Sequence, residues 1–401
     1  MPLPLLAEGV AKGFSEIPYF YATLKTVSWL TGIYLLKRYF GGASNTSERL
    51  MHSKVVMITG GTSGIGAVIT RDLAARGAQI ILLTQHPSDP FLVGYIDDLR
   101  AQTNNDLIYA EQVDLSSLHS IRLFATKWVD NAPPRRLDMI VLCAATMTPP
   151  YARKGTQTVD KVEVNWGVNY LANYHLLSIL SPAIKAQPPD RDVRIIFGTC
   201  SSYIGAELDL KDPLYKHRQP SSTSLYGSSK LALMVFAQSF QKHLDSYSRP
   251  DKQPTNARVI VVDPGWSRTP GMRRWLTMGS LWGLLIYVVT WPLWWLVLKS
   301  PEQGAQTFLR AVMEAELGQG VGGRLLKECR EVVYARKEVK DDAFAKELWE
   351  VSSQQIEILE KEGALKRAQE KKAKEEVKPE PEKTTGPKEK AAGSRRSRKA
   401  G

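Results

Sequence analysis

Tyr226 and Lys230 stand four apart in the segment Tyr-Gly-Ser-Ser-Lys. On a helix that spacing puts both side chains on one face. A free tyrosine has a pKa near 10, so it exchanges a proton at neutral pH only with help. A neighbouring ammonium favours the phenolate, which suits the pair to general acid–base work on a carbonyl or alcohol oxygen. The alternative is a solvated surface pair, but the context argues against it: an apolar run ending in Thr199-Cys200-Ser201-Ser202 lies upstream, and a helical pattern follows. A hydroxyl at that strand end could hydrogen-bond the reacting oxygen. A thiol is a weak donor, which favours Ser201, with Ser202 second.

A second chemical element is Thr59-Gly-Gly-Thr-Ser-Gly-Ile-Gly66, between an apolar run and a helical segment. Gly60 permits a tight turn. Gly64 and Gly66 let the backbone approach a pyrophosphate, and Thr62, Ser63 and Ile65 belong to the same loop. The phosphates would sit at the positive end of the following helix. A nicotinamide dinucleotide bound there would supply the hydride for which the tyrosine manages the proton. The second strand ends Leu83-Thr84-Gln85-His86. It has neither an acidic residue for a ribose 2′-OH nor an Arg for a 2′-phosphate. With no carboxylate to repel a phosphate, NADP is favoured over NAD.

These groups must be positioned by a scaffold, and the remaining pattern supplies one. KVVMITG, AQIILLT, LIYAEQVDL, LDMIVLCAA, VRIIFGT and ARVIVVDPG are short apolar runs separated by amphipathic stretches. This alternation indicates an α/β fold: a single Rossmann-type, doubly wound parallel sheet over residues 50–360. Within it, Leu276–Leu298 has 23 residues, no charge and four tryptophans. Strand-like residues before it and a helix after it rule out a single crossing. It reads as an apolar insertion dipping into one leaflet. Residues 1–45 carry an apolar stretch, Pro18–Leu36, followed by Lys37 and Arg38, as in an interfacial anchor. The N-terminus lacks the basic start and long apolar core of a cleavable signal. Residues 364–401 form a polar tail, expected to be disordered but helical at its start. The tail holds 13 Lys/Arg against 6 Asp/Glu, much of the formal net charge of +12. The folded part is therefore only mildly basic, and nucleic-acid binding is not expected. Three scattered cysteines, Cys143, Cys200 and Cys329, make neither a disulfide framework nor a metal site.

The spacing G-x-x-x-G-x-G, together with Tyr226-x-x-x-Lys230, resembles the short-chain dehydrogenase/reductase family from about Lys54 to about Gln355. VDLSSLHSIRLFA, VEVNWGVNYLANYHLL and SPEQGAQT resemble its retinol-dehydrogenase-like branch, with fungal membrane- or lipid-droplet-associated members nearest. The resemblance implies that Asp114 and Leu115 contact the adenine and that Lys230 also binds ribose. It implies that Asn169 is a fourth catalytic residue, and that Pro264, Gly265 and Thr269 form the turn against the nicotinamide. Counting forward from Arg194 puts the family's serine at Cys200; counting back from Tyr226 puts it at Ser201. The fourth strand departs from the family pattern: where Asn-Asn-Ala-Gly is usual, the chain has Leu142-Cys143-Ala144-Ala145, still small enough for close cofactor approach at Cys143 and Ala144. The implied function is an NAD(P)-dependent oxidoreductase acting on a lipophilic alcohol, aldehyde or ketone. Its expected place is the endoplasmic reticulum membrane or a lipid droplet, with the catalytic domain facing the cytosol. A non-catalytic membrane scaffold that keeps the fold is the alternative. Pairing through the Tyr-bearing helix, common in the family, suggests a homodimer.

Overall fold

In the computed structural model, residues 19–150, 157–212 and 221–376 are described. A first helix, α1 (Phe20–Gly41), precedes the sheet. The first apolar run becomes β1 (Val55–Thr59), buried at every position. It feeds α2 (Gly64–Ala75), β2 (Gln79–Thr84), α3 (Pro90–Thr103), β3 (Ile108–Gln112), α4 (Leu118–Val129) and β4 (Met139–Leu142). The chain continues through α5 (Ala172–Lys185), β5 (Val193–Gly198), α6 (Ser222–Asp245) and β6 (Ala257–Asp263). Three short helices follow: α7 (Pro270–Leu276), α8 (Leu281–Val289) and α9 (Trp291–Val297). The last elements are α10 (Pro301–Met313), β7 (Arg324–Lys327), β8 (Arg330–Val332) and α11 (Asp342–Glu376).

The strands form one sheet in the order β3-β2-β1-β4-β5-β6-β7-β8. All neighbours are parallel except β7 and β8. Strands covered on both faces must be apolar throughout, which is why they read as runs rather than alternations. One core layer packs the sheet against α4, α5 and α6; the other packs it against α2, α3 and α10. After β1 the chain winds to β2 and β3 on one side, then returns to β4 on the other. The carboxyl ends of β1 and β4, paired at Thr59 and Leu142, therefore open onto the crevice where ligands bind in such sheets.

The apolar insertion differs in shape from one continuous segment. Ser280 caps α8 by accepting from Gly283 N, and the chain turns at Thr290 before Pro292. With 7, 9 and 7 residues in α7, α8 and α9, each rises only about 10–14 Å at 1.5 Å per residue. Among the described residues no helix is long and apolar enough to cross a membrane. α1 lies beside this insertion: Lys37 Nζ donates to the Trp295 and Leu298 carbonyls at 2.6 and 3.1 Å. These are carbonyls that the end of α9 would otherwise leave open.

Among the described residues, those up to Glu360 form one compact unit and those from Lys361 a second. The helix α11 runs to Glu376, so residues 364–376 are helical; the rest of the expected disordered tail lies outside the described residues. So does the start of the N-terminal segment, residues 1–18. Within the first unit α11 covers the groove between α5 and α6. The Trp349 ring lies 5.3 Å from Tyr174 and 5.6 Å from both Phe236 and His243, and Tyr170 Oη meets Ser352 Oγ at 2.6 Å. Part of the surface of the Tyr-bearing helix is thus covered by the chain's own C-terminal helix. Trp349→Ala is expected to lower stability by about 2–4 kcal/mol through lost packing. Chemical denaturation would check it.

Candidate active site

The glycine loop is built by close backbone approach. Gly60 has φ +68°, and a Cβ there would meet the Ala144 backbone at 2.8 Å, so the loop rests on the end of β4. A Cβ on Gly66 would lie 2.1 Å from the Gly60 carbonyl oxygen, which holds the start of α2 against the turn. Ser63 precedes that helix without a side-chain cap. Its first N–H groups thus have no capping side chain and face the crevice, as a phosphate requires. Gly64, at φ +56°, brings the loop to within contact of Thr269 from the β6–α7 turn. The missing Asn-Asn-Ala-Gly is replaced by a different tie: Ala144 N donates to Thr59 Oγ1 at 3.2 Å.

A cavity of about 660 Å³ opens from this loop. Of the expected residues, the glycine loop other than Thr62, Cys143 and Ala144, Tyr226 and Lys230, and the Pro264–Thr269 turn line it. Thr62, Asp114, Leu115, Asn169 and Ser201 do not. Asp114 is fixed at the outer edge beyond β3, where its carboxylate accepts from Ser116 N (2.8 Å) and from Gln85 Nε2 (3.1 Å); Leu115 packs on the core. Thr269 caps α7, its Oγ1 accepting from Met272 N, and so keeps a hydroxyl proton to donate. Ser267 Oγ is buried without a hydrogen-bond partner beside it. The capless helix end, the glycine approach and this free hydroxyl fit a nicotinamide dinucleotide.

Tyr226 and Lys230 lie in the first turns of α6, capped by Ser221. Lys230 Nζ sits 5.7 Å from the Tyr226 ring centroid and donates to the Gly198 carbonyl at 2.9 Å. That carbonyl ends β5, so the sheet itself aims the lysine. Burial pushes the Tyr226 phenol well above its ordinary value, and Cys200, Asp263 and Cys143 add to this. Burial also lowers the Lys230 ammonium. The Cys143 thiol, buried beside Lys230, is pushed up to about 11.

Ser201, the favoured serine, is not among the residues that line the cavity. Cys200 is extended, with φ −160° and ψ 164°, and a 3₁₀ turn begins at Ser201. Across this change of conformation Cys200 and Ser202 line the cavity, their side chains 2.8 Å apart, and Ser201 does not. Ser201 Oγ donates to Asp263 Oδ2 at 2.8 Å and accepts from Lys327 Nζ at 3.1 Å. Asn169 does not line the cavity either. It lies in the π-helical turn Gly167–Leu171. Its side chain clamps both backbone groups of Thr146, at 2.7 and 2.9 Å, and donates to Ser229 Oγ at 3.2 Å. It ties the loop after β4 to the helix of Tyr226. The cavity's far wall, Met272, Trp275, Leu276, Trp294 and Leu298, was not foreseen residue by residue. Its signal was the uncharged run in which most of it lies.

The short chain dehydrogenase family profile matches residues 54–208. The uncharacterized oxidoreductase pbr1 of Schizosaccharomyces pombe is 43% identical over 366 residues, covering 90% of this chain and 97% of its own. The chain belongs to the short-chain dehydrogenase/reductase family. Retinol dehydrogenase 13 of Mus musculus is 29% identical, covering 83% of this chain and 92% of its own. Polyprenol dehydrogenase of the same species is 33% identical over 69% of this chain and 76% of its own. A solved protein from Mycobacterium paratuberculosis shares the fold, with TM-score 0.55 and 22% identity, covering 79% of this chain and 98% of that one. Family membership makes the chain an oxidoreductase of the NAD(P)-dependent type, in the branch that holds the retinol dehydrogenases.

Proposed function

We propose that this short-chain dehydrogenase/reductase transfers a hydride between NADP(H) and a lipophilic alcohol, aldehyde or ketone, at a membrane or lipid-droplet surface that its catalytic domain faces from the cytosol. One observation carries the reading: the cavity holding Tyr226 and Lys230 is walled by the apolar insertion, whose outer residues Leu281, Trp282, Leu285, Ile286 and Val289 stand exposed. A patch of this kind marks an interaction surface, and here it continues onto Trp29, Leu30 and Tyr34 of α1. No Asp or Glu occurs in residues 17–47 or 264–301, whereas Lys25, Lys37, Arg38, Arg273 and Arg274 do. Basic residues near an anionic lipid surface contribute roughly 1 kcal/mol each.

When bound along the glycine loop, the nicotinamide supplies or takes the hydride. The protein's part is the proton. Tyr226, kept protonated by burial, donates to the substrate oxygen in reduction. Lys230, fixed on Gly198, holds positive charge beside the ring and stabilises the phenolate that remains. Asn169 acts through the loop it fastens, as a positioning residue. Gln85, bound to Asp114 rather than replaced by an acid, leaves room for a 2′-phosphate.

Because burial lowers the Lys230 ammonium, its charge is lost as pH rises through that depressed value. The reduction rate is therefore expected to begin falling at a lower pH than the ordinary lysine value of about 10.4 would give. Lys230→Arg should push the fall to higher pH, which rate profiles of both proteins would check. For the lipid surface, Leu285→Glu with Ile286→Glu removes two exposed apolar side chains without touching the core. Flotation with anionic vesicles is expected to show at least about a tenfold lower bound fraction. Unchanged flotation would contradict the part assigned to the insertion.

A further inference from the structure

We propose that Cys200 occupies the place of the family's serine and that Ser202 supplies the hydroxyl bonding the substrate oxygen. This rests on the reaction proposed above. Both side chains line the cavity, and Cys200 Sγ lies 2.8 Å from Ser202 Oγ. Tyr226 lines the same cavity, so the sulfur stands beside the reacting centre. It is an ineffective donor to a developing oxyanion, whereas a hydroxyl two residues on, pointing to the same side, is a good one. Ser201 is spent elsewhere, between Asp263 and Lys327. Gly227 fixes the spacing: a Cβ there would meet the Ser202 carbonyl oxygen at 2.9 Å, so the turn carrying Ser202 rests directly on the helix of Tyr226.

The arrangement gives each group one task. The Cys200 S–H donates to Ser202 Oγ and orients it. The Ser202 O–H then points at the substrate oxygen. When substrate enters, that oxygen also accepts from the Tyr226 hydroxyl. Hydride adds to the carbonyl carbon, the π pair moves to oxygen, and oxygen takes the Tyr226 proton. Cys200 and Ser202 lose no proton and undergo no oxidation.

The test uses the full chain in detergent with NADPH and a long-chain aldehyde. Turnover, cofactor affinity by NADPH fluorescence, and melting temperature are read together. Turnover by the unaltered chain that disappears in Tyr226→Phe supports the underlying reaction; no turnover at all overturns that reaction and this assignment with it. Ser202→Ala is expected to lower kcat by about 100- to 1,000-fold, the effect of removing one oxyanion donor, with NADPH affinity unchanged within about twofold. Ser202→Thr, which keeps a hydroxyl, should retain at least about a tenth of the activity. The double variant Cys200→Ser/Ser202→Ala should recover at least about tenfold over Ser202→Ala, because a hydroxyl then stands at the family's own position. Ser201→Ala should leave kcat within about twofold. If Ser202→Ala keeps kcat within about twofold while Cys200→Ala or Ser201→Ala loses more than about tenfold, the assignment to Ser202 is wrong.

Discussion

Tyr226→Phe is expected to lower kcat for aldehyde reduction by a factor of about 100 to 10,000, the range contributed by a positioned proton donor. The loss should fall on the chemical step alone. The phenol stands in a buried environment that holds its proton, and the ring, which Phe retains, keeps its contact above Lys230. NADPH fluorescence titration should therefore give an unchanged affinity, and the melting temperature should move by no more than a few degrees. A variant that kept more than about a tenth of wild-type kcat would remove Tyr226 from the proton path. Lys230 is a less clean test, because it also fastens to Gly198 at the end of β5, and its loss would disturb the sheet edge as well as the charge.

Gly66→Ala is expected to damage cofactor binding severely. The new Cβ would lie 2.1 Å from the Gly60 carbonyl oxygen, 2.8 Å from its carbon and 3.2 Å from Gly61 Cα. These atoms are all backbone, so no flexible side chain can give way. The first turn of α2 must lift off the loop, at a cost of about 1–3 kcal/mol in stability. The phosphate-facing N–H groups move with it, and a loss of only 1.4 kcal/mol there is already tenfold in affinity. NADPH affinity is thus expected to drop at least about tenfold. Gly94→Ala is the internal control: that residue is exposed within α3, with nothing within 4 Å of the added carbon. It should stabilise by about 0.5–1 kcal/mol from helix propensity. Equal effects at the two positions would contradict the loop geometry.

The sheet was legible in the sequence because a strand buried on both faces must be apolar along its middle, as at residues 55–58 and 259–262. The last strands, β7 and β8, were not, since Arg324–Lys327 and Arg330–Val332 are short, charged and only partly buried. The glycine loop and Tyr226/Lys230 were legible because their function fixes residue type and spacing together. The serine was not, because one residue of register decides which side chain faces the cavity. Cys200, Ser201 and Ser202 differ in direction rather than in kind. Counting from Arg194, which lies within β5, arrives at Cys200, which lines the cavity, whereas counting back from Tyr226 arrives at Ser201, which does not. The C-terminal helix shows a similar limit. A polar stretch beginning near Asp342 gave no sign that Trp349 and Ser352 would close the groove beside Tyr170 and Tyr174.

The central claim is that Tyr226 and Lys230 serve a cavity opening toward lipid. A chain-length series of aldehydes, presented in anionic vesicles with NADPH, tests it most directly through kcat/KM. The account predicts a steep rise with chain length, each buried methylene adding about 0.8 kcal/mol, or roughly fourfold. It also predicts that Leu285→Glu with Ile286→Glu flattens this rise while leaving the short, water-soluble members unaffected. A kcat/KM independent of chain length, or highest for the short aldehydes, would contradict it.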